Sequence, residues 1–425
     1  MMKPVLLFRG PVKTRSGYGS HSRDLLQSLY EMNLFDIKID SCPWGSTPST
    51  ALNEDNEFHK WINNNIVTHV DSNPDVYVQV TVPNEFQRMG RFNIGITAGI
   101  ETTVAPKEWV DGCNKMDLVI TTSKFSKDVL LSTVYNENDK TTGKLVSQHR
   151  IVKPIEVLFE GADTSIYNNK FNGLNFDIKE DFAYLFVGHW LKGDLGQDRK
   201  NVGMLIKCFC ESFKDEIDKP ALVLKTSSAT FSVKEREIFR KKIENHVSGY
   251  ENPPSIYLLF GELTDKEMNE LYNYPKIKSM VSITKGEGFG RPLLEFTMTG
   301  KPIIASNWSG HKDFLPMDKS VMIGGTLTDV HDSAIDSFII KGSKWFTANY
   351  NEVIQVLKLV KNILNGESSF LDYKSKLESL LYETYKQNYF LQTKGVWINK
   401  VTTDTNKDDE FHLDNNALTI VTYIN

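Results

Sequence analysis

Two glutamates in an E-x7-E spacing, Glu287 and Glu295, bracket a glycine loop in MVSITKGEGFGRPLLEFTMTGKPIIAS (280–306). The order is strand, glycine loop, helix, stop, strand. Gly286, Gly288 and Gly290, with Phe289 among them, let the backbone approach a ligand closely and adopt positive φ. Pro292 suits the first turn of a helix, while Gly300 and Pro302 end it. The loop therefore aims helix-end amides at one spot, which attracts an anion. Carboxylates there would repel phosphate, so Glu287 and Glu295 suit sugar hydroxyls instead. Phosphate on the amides and hydroxyls on the carboxylates together describe a nucleotide sugar. The bland alternative is a tight turn with both glutamates in solvent.

A second stretch with chemical potential is PVKTRSGYGSHSR (11–23). Gly17 and Gly19 open the backbone after the first strand, at the carboxyl end of its sheet. Lys3, Arg9, Lys13, Arg15 and Arg23 precede the first acidic residue, Asp24, and Tyr18 and His21 interleave with them. Cations beside a stacking ring suit a phosphate backbone or an extruded base. The alternative is a donor-facing glycine loop with solvated charges.

The elements that must hold these residues alternate between strand-like and helix-like runs. Strands are expected at 4–8, 35–39, 76–80, 92–97 and 118–122, with helices at 24–32 and 124–131. After the polar stretch before residue 182 the pattern restarts, with strands at 182–188, 221–225, 255–260, 280–284 and 302–306. Strands alternating with helices imply a parallel sheet covered on both faces. The expected fold class is α/β, with two Rossmann-like domains facing across a cleft. Residues 1–175 form the acceptor domain and 176–375 the nucleotide-sugar domain. Residues 376–425 form a helix and tail that return to the first domain. Residues 369–388 have helical spacing, and TDTNKDDE after them reads as a solvated loop.

A chain of 425 residues suits two domains rather than one core. Its net charge of −5 gives no bulk drive toward nucleic acid, although a local basic groove stays open. Cys42, Cys113, Cys208 and Cys210 match neither a zinc set nor a disulfide framework, which points to a reducing cytoplasm. No apolar run nears a membrane span, and the apolar start is too short for a signal peptide, so a soluble cytoplasmic protein is expected. SGYGSH lacks the third glycine of a dinucleotide fingerprint, which argues against an oxidoreductase.

The string EGFGRPLLE, followed by TGKPIIAS and WSGHKDFL, resembles the donor-site signature of the family-4 retaining glycosyltransferases of the GT-B fold. RKNVGMLIKCF (199–209) resembles that family's segment with a basic residue for the donor diphosphate. Lys200 matches best by position, with Arg199 beside it. ALVLKTS places Lys225 near the nucleotide, and residues 100–130 resemble the acceptor-domain core, with Glu101 and Trp109 near the cleft. Many members carry an arginine where His189 follows Gly188 here. Arg199 then takes over that duty, or the phosphate grip is weaker. The resemblance implies retention of anomeric configuration, Glu287 on a donor-sugar hydroxyl, Glu295 on the ribose, and no protein base. An inverting enzyme would need a base, for which His21 is the candidate. No DxD pair ends a strand, so neither metal nor cofactor is expected beyond the nucleotide-sugar co-substrate. GPVKTRSGYGSHSRDLL and CPWGSTPSTAL look like glycosyltransferases of tailed bacteriophages. That likeness implies hydroxymethylcytosine in DNA as the acceptor, with glucose or a pentose such as arabinose transferred. Surface polysaccharide or a lipid-linked oligosaccharide is the rival acceptor, and a nucleotide-sugar epimerase the rival class.

Overall fold

The computed structural model describes residues 3–68, 73–190, 192–193, 195–228, 232–315, 320–366, 409–411 and 420–422. In the first strand, β1 (Val5–Gly10), Leu6 and Phe8 enter one core and Leu7 the other. That period of two is what a strand covered on both faces requires. It pairs in parallel with β2 (Asp36–Ser41) and β3 (Val76–Val80), setting Leu7 beside Lys38 and Tyr77. β4 (Phe92–Thr97) and β5 (Leu118–Thr121) follow. An antiparallel hairpin of β6 (Val134–Asn138) and β7 (Leu145–Arg150) then precedes β8 (Ile155–Val157). The first sheet has the order β2-β1-β3-β4-β5-β8. Its helices are α1 (Gly17–Met32), α2 (Glu57–Asn64), α3 (Lys107–Lys115) and α4 (Lys124–Ser132).

Residues 158–182 lead, without helix or strand, into the second sheet. Its strands are β9 (Ala183–Val187), β10 (Ala221–Lys225), β11 (Ile256–Leu259), β12 (Ile277–Ser282), β13 (Ile303–Ser306) and β14 (Ser320–Ile323). They run parallel in the order β11-β10-β9-β12-β13-β14. One face packs Ala183, Leu185, Val223, Met280, Phe296 and Ile303 into a core that Tyr167 and Ile178 join from the connecting segment. The helices are α5 (Val202–Phe213), α6 (Val233–Val247), α7 (Asp265–Asn273) and α8 (Arg291–Thr297). The antiparallel pair β15 (Gly325–Asp329) and β16 (Lys344–Ala348) precedes α9 (Tyr350–Leu364). Both sheets lie in one compact unit, Met1–Glu367. Ser368–Asn425 forms a second unit, in which β17 (Asp409–Phe411) pairs antiparallel with β18 (Ile420–Thr422).

Three expectations need correction. The first helix begins at Gly17, not at Asp24, so 17–23 is helix rather than loop. Ser16 caps it by accepting from the Gly19 amide at 3.0 Å, and a Cβ at Gly19 would meet the Thr14 carbonyl oxygen at 2.2 Å. The apolar period misses these turns because they bury polar groups, His21, Ser22 and Arg23. β12 begins at Ile277, three residues before the expected start, through an irregularity between Ile277 and Ser279. Asp409 and Glu410, read as solvated loop, are strand residues. The helix expected at 369–388, and its return to the first domain, lie outside the described residues.

Candidate functional site

In the second sheet the strand order reverses between β9 and β12, and the loops leaving their carboxyl ends open a crevice where α/β sheets bind ligands. The loop before α5 carries Arg199 and Lys200, and the loop after β12 carries Glu287. They are interlocked: the Lys285 amide donates to the Arg199 carbonyl at 2.7 Å, and the Arg199 Nη1 donates to the Gly286 carbonyl at 2.7 Å. Asn201 caps α5 in the left-handed region, φ 59°. Its amide donates to the carbonyl of Ile283 at 3.3 Å, so the strained turn is fixed to the β12 loop.

Lys200 Nζ lies 2.5 Å from Glu287 Oε1, and Arg199 Nη1 lies 3.4 Å from Oε2. Arg199 Nη2 also lies 3.5 Å from Glu101 Oε1, so the first half contributes to the cluster. Burial alone would raise the Glu287 carboxyl, but Lys200 and Arg199 outweigh it and hold it at about 2. The structure thus brings together Arg199, Lys200, Glu287 and Glu101. Glu287 is paired with both cations. His189 packs beside them with Nδ1 3.3 Å from the Ser227 carbonyl, and burial, reinforced by Lys200, lowers its pKa. Lys225, at the end of β10, donates to the Gly261 carbonyl at 2.6 Å, and burial lowers it to about 8.

The glycine loop is packed closely against the first half. Gly290 does take a positive φ, 99°, as the cap of α8. At Gly286 and Gly288 the close approach is to protein. A Cβ on either would lie 2.0 Å from a carbonyl oxygen of the first half, that of Glu101 or Ala98 respectively. The Glu287 amide is used by Ser309 Oγ at 2.9 Å, and Phe289 is buried against Phe314, 4.8 Å between centroids.

Glu295 lies within α8 with both oxygens engaged. Tyr272 Oη donates to Oε2 and Arg291 Nε to Oε1, each at 2.9 Å. Arg291 Nη1 reaches Asp24 Oδ2 at 2.6 Å and Glu160 Oε2 at 3.5 Å. Tyr272, Asp24 and Glu160 carry no sequence signal here. Arg291 does, since it stands one helical turn before Glu295.

The first-half candidates are mostly committed elsewhere. Tyr18 is bonded through its hydroxyl to Thr97 Oγ1 at 2.9 Å and the Ala98 amide at 3.0 Å, and its ring stacks on Trp44 at 4.1 Å. It is therefore not a bare platform for a base. Arg15 donates to the Thr50 carbonyl at 3.2 Å and sits 3.7 Å from Glu262 of the second half. Arg9 pairs with Asp40, and Lys3 bonds Asn33. Arg23 is buried on the carbonyls of Val12 and Thr14. The expected basic stripe is thus largely dispersed into internal contacts. His21 is buried, and burial together with Arg291 lowers it to about 3, which makes it a poor base. Trp109 is 2% exposed in the first sheet's core, with its ring 6.0 Å from that of Phe338 in the second half. Gly17 opens α1, and a Cβ there would meet nothing within 4 Å. No group of three His, Cys, Asp or Glu residues among the described residues could hold a metal ion, and no helix among them is long and apolar enough to cross a membrane.

Residues 196–339, which include Arg199, Lys200, Glu287 and Glu295, match the family described as Glycosyl transferases group 1. No curated protein sequence matches the chain. Among solved structures, a glycosyltransferase from Rickettsia africae is similar at 12% identity and TM-score 0.52, over 92% of this chain and 100% of that one. The sucrose-phosphate synthase from Thermosynechococcus elongatus is similar at 13% and 0.50, over 92% and 100%. The lipopolysaccharide outer core galactosyltransferase WaaB is similar at 10% and 0.50, over 92% and 99%. The structural likenesses show the fold as GT-B, two Rossmann-like halves, and residues 196–339 are similar to the glycosyl transferases group 1 family.

Proposed function

We propose that the protein transfers a sugar from a nucleoside-diphosphate sugar to a hydroxyl acceptor, a hexosyl or pentosyl transfer that needs no metal. The observation that carries this reading is the convergence of Arg199, Lys200, Glu287 and Glu101 in the β9/β12 crevice, inside the group 1 region. Breaking the anomeric carbon–oxygen bond leaves negative charge on a diphosphate. Two nearly buried cations fixed by Glu287 stabilise that charge with little reorganisation as it grows. Glu287 keeps further lone pairs on its two oxygens and is suited to accept from a donor-sugar hydroxyl. Glu295, anchored by Tyr272 and Arg291, is suited to the ribose hydroxyls in the same way. We read the reaction as retaining. The acceptor attacks on the leaving-group face, its proton passes to a donor phosphate oxygen, and no protein base is required. A buried His21 titrating at about 3 fits that route better than an inverting one.

For the acceptor, dispersal of the basic stripe lowers the claim of hydroxymethylcytosine in phage DNA to parity with a polysaccharide or lipid-linked sugar. The test is a panel of radiolabelled UDP-, GDP-, ADP- and dTDP-sugars offered with plain DNA, hydroxymethylated DNA or oligosaccharides. Label should move to one acceptor class with stoichiometric release of nucleoside diphosphate. Conversion of a donor into its epimer without acceptor would instead identify an epimerase and overturn the proposal.

A further inference from the structure

Arg291 is shared among three carboxylates drawn from three parts of the chain. Asp24 lies in α1 of the first half, Glu160 follows β8, and Glu295 lies in α8. The side chains of Arg291, Glu160 and Glu295 are 12%, 5% and 9% exposed, so solvent screens little of this network. The guanidinium divides its contacts by atom: Nε faces Glu295 at 2.9 Å, and Nη1 faces Asp24 at 2.6 Å. A planar fork serves two partners at once from one fixed orientation, whereas an ammonium's three rotatable donors impose none. The other oxygen of Glu295 is held by Tyr272, which belongs to α7 of the second half. The plane of the Glu295 carboxylate is thus set from one side within its own half and from the other through a cation tied to the first half.

We infer that Arg291 is a positioning residue for the donor. It orients Glu295 toward the ribose, and Asp24 holds it in that orientation, so recognition of the ribose depends on the seating of the first half against the second. This rests on the reading of Glu295 as the ribose-binding carboxylate. Arg291 need not touch the donor. Its effect passes through Glu295, and so falls on the hydroxyls alone.

The test separates that effect from a general loss of structure. UDP, GDP, ADP and CDP are titrated calorimetrically into the full chain, and the tightest is compared with its 2′,3′-dideoxy counterpart. A hydrogen bond to a charged group contributes about 1.5–3 kcal/mol, so the wild type should prefer the ribonucleotide by about tenfold or more. In Arg291→Lys and in Asp24→Asn that preference should fall below about threefold. Affinity for the dideoxy compound should change by less than about twofold. Asp24 is partly exposed, and its substitution removes neither Arg291 nor Glu295 but only the contact that holds Arg291 in place, so it carries the test alone if Arg291→Lys does not fold. Equal weakening toward both nucleotides, with the preference kept, would mark a structural role and overturn the inference while sparing the reading of Glu295. A wild type that binds none of the four, or does not discriminate the dideoxy compound, would overturn both.

Discussion

Glu160→Gln is expected to make the protein more stable in mild alkali while changing little in mild acid. Burial raises the Glu160 carboxyl most; Arg291 opposes that, Asp24 and Glu295 add to it, and the balance is about 7 against an ordinary 4.5. The folded chain therefore holds this proton more tightly than the unfolded chain. Between pH 4.5 and 7 it binds more protons, so the contribution of Glu160 is full below 4.5 and is lost as pH rises through 7. Across that window the loss is about 3 kcal/mol, an upper figure because the network can relax. Glutamine mimics the protonated side chain and can still accept from Arg291, which retains Asp24 and Glu295 as counter-charges. Thermal midpoints of wild type and variant, followed by tryptophan fluorescence at pH 5, 6, 7 and 8, should start together and diverge in favour of the variant. A gap that does not change with pH, or a variant less stable at pH 8, would refute the raised Glu160 carboxyl.

Lys200→Ala removes the partner 2.5 Å from Glu287, and with it one cation for the leaving group, so donor kcat/KM should fall by about 10²–10³. Retention within threefold, measured by nucleoside-diphosphate release, would place the diphosphate elsewhere. Gly288→Ala puts a Cβ 2.0 Å from the Ala98 carbonyl oxygen, a clash worth about 1–3 kcal/mol, and should lower the melting midpoint and raise donor KM together. An unchanged midpoint would mean that the two loops do not meet in solution. Transfer should continue in excess EDTA, because Arg199 and Lys200 supply the positive charge that a metal would otherwise bring. Loss of activity that magnesium restores would contradict that.

Strands were legible wherever both faces are buried. VYVQV, FNIGIT and ALVLK are continuous β-type runs, and the structure returns them at the expected residues. Helices were legible only where an apolar stripe faces the sheet. The first two turns of α1 escaped because they bury His21 and Arg23, whose polar atoms a hydrophobic period cannot register. The β6–β7 hairpin escaped for the opposite reason: most of its residues are exposed, so its side chains carry no alternation.

In the site, residue types were legible and partnerships were not. A glutamate after a glycine loop and a basic pair before a helix can be read from spacing. That Lys200 and Glu287 bond each other cannot be, since they are far apart in sequence and meet only through sheet topology. The same limit explains the glycines. Spacing shows that Gly286 and Gly288 need close approach, but only the fold reveals that the approaching atoms are carbonyls of Glu101 and Ala98. Cluster and loop then share one consequence. Glu101 holds Arg199 with its carboxylate while its carbonyl packs against Gly286, so one residue of the first half both closes the loop and sets the charge balance of the crevice. Any movement that draws residues 98–101 away would leave Arg199 with Glu287 as its remaining carboxylate partner and open the glycine loop in the same step.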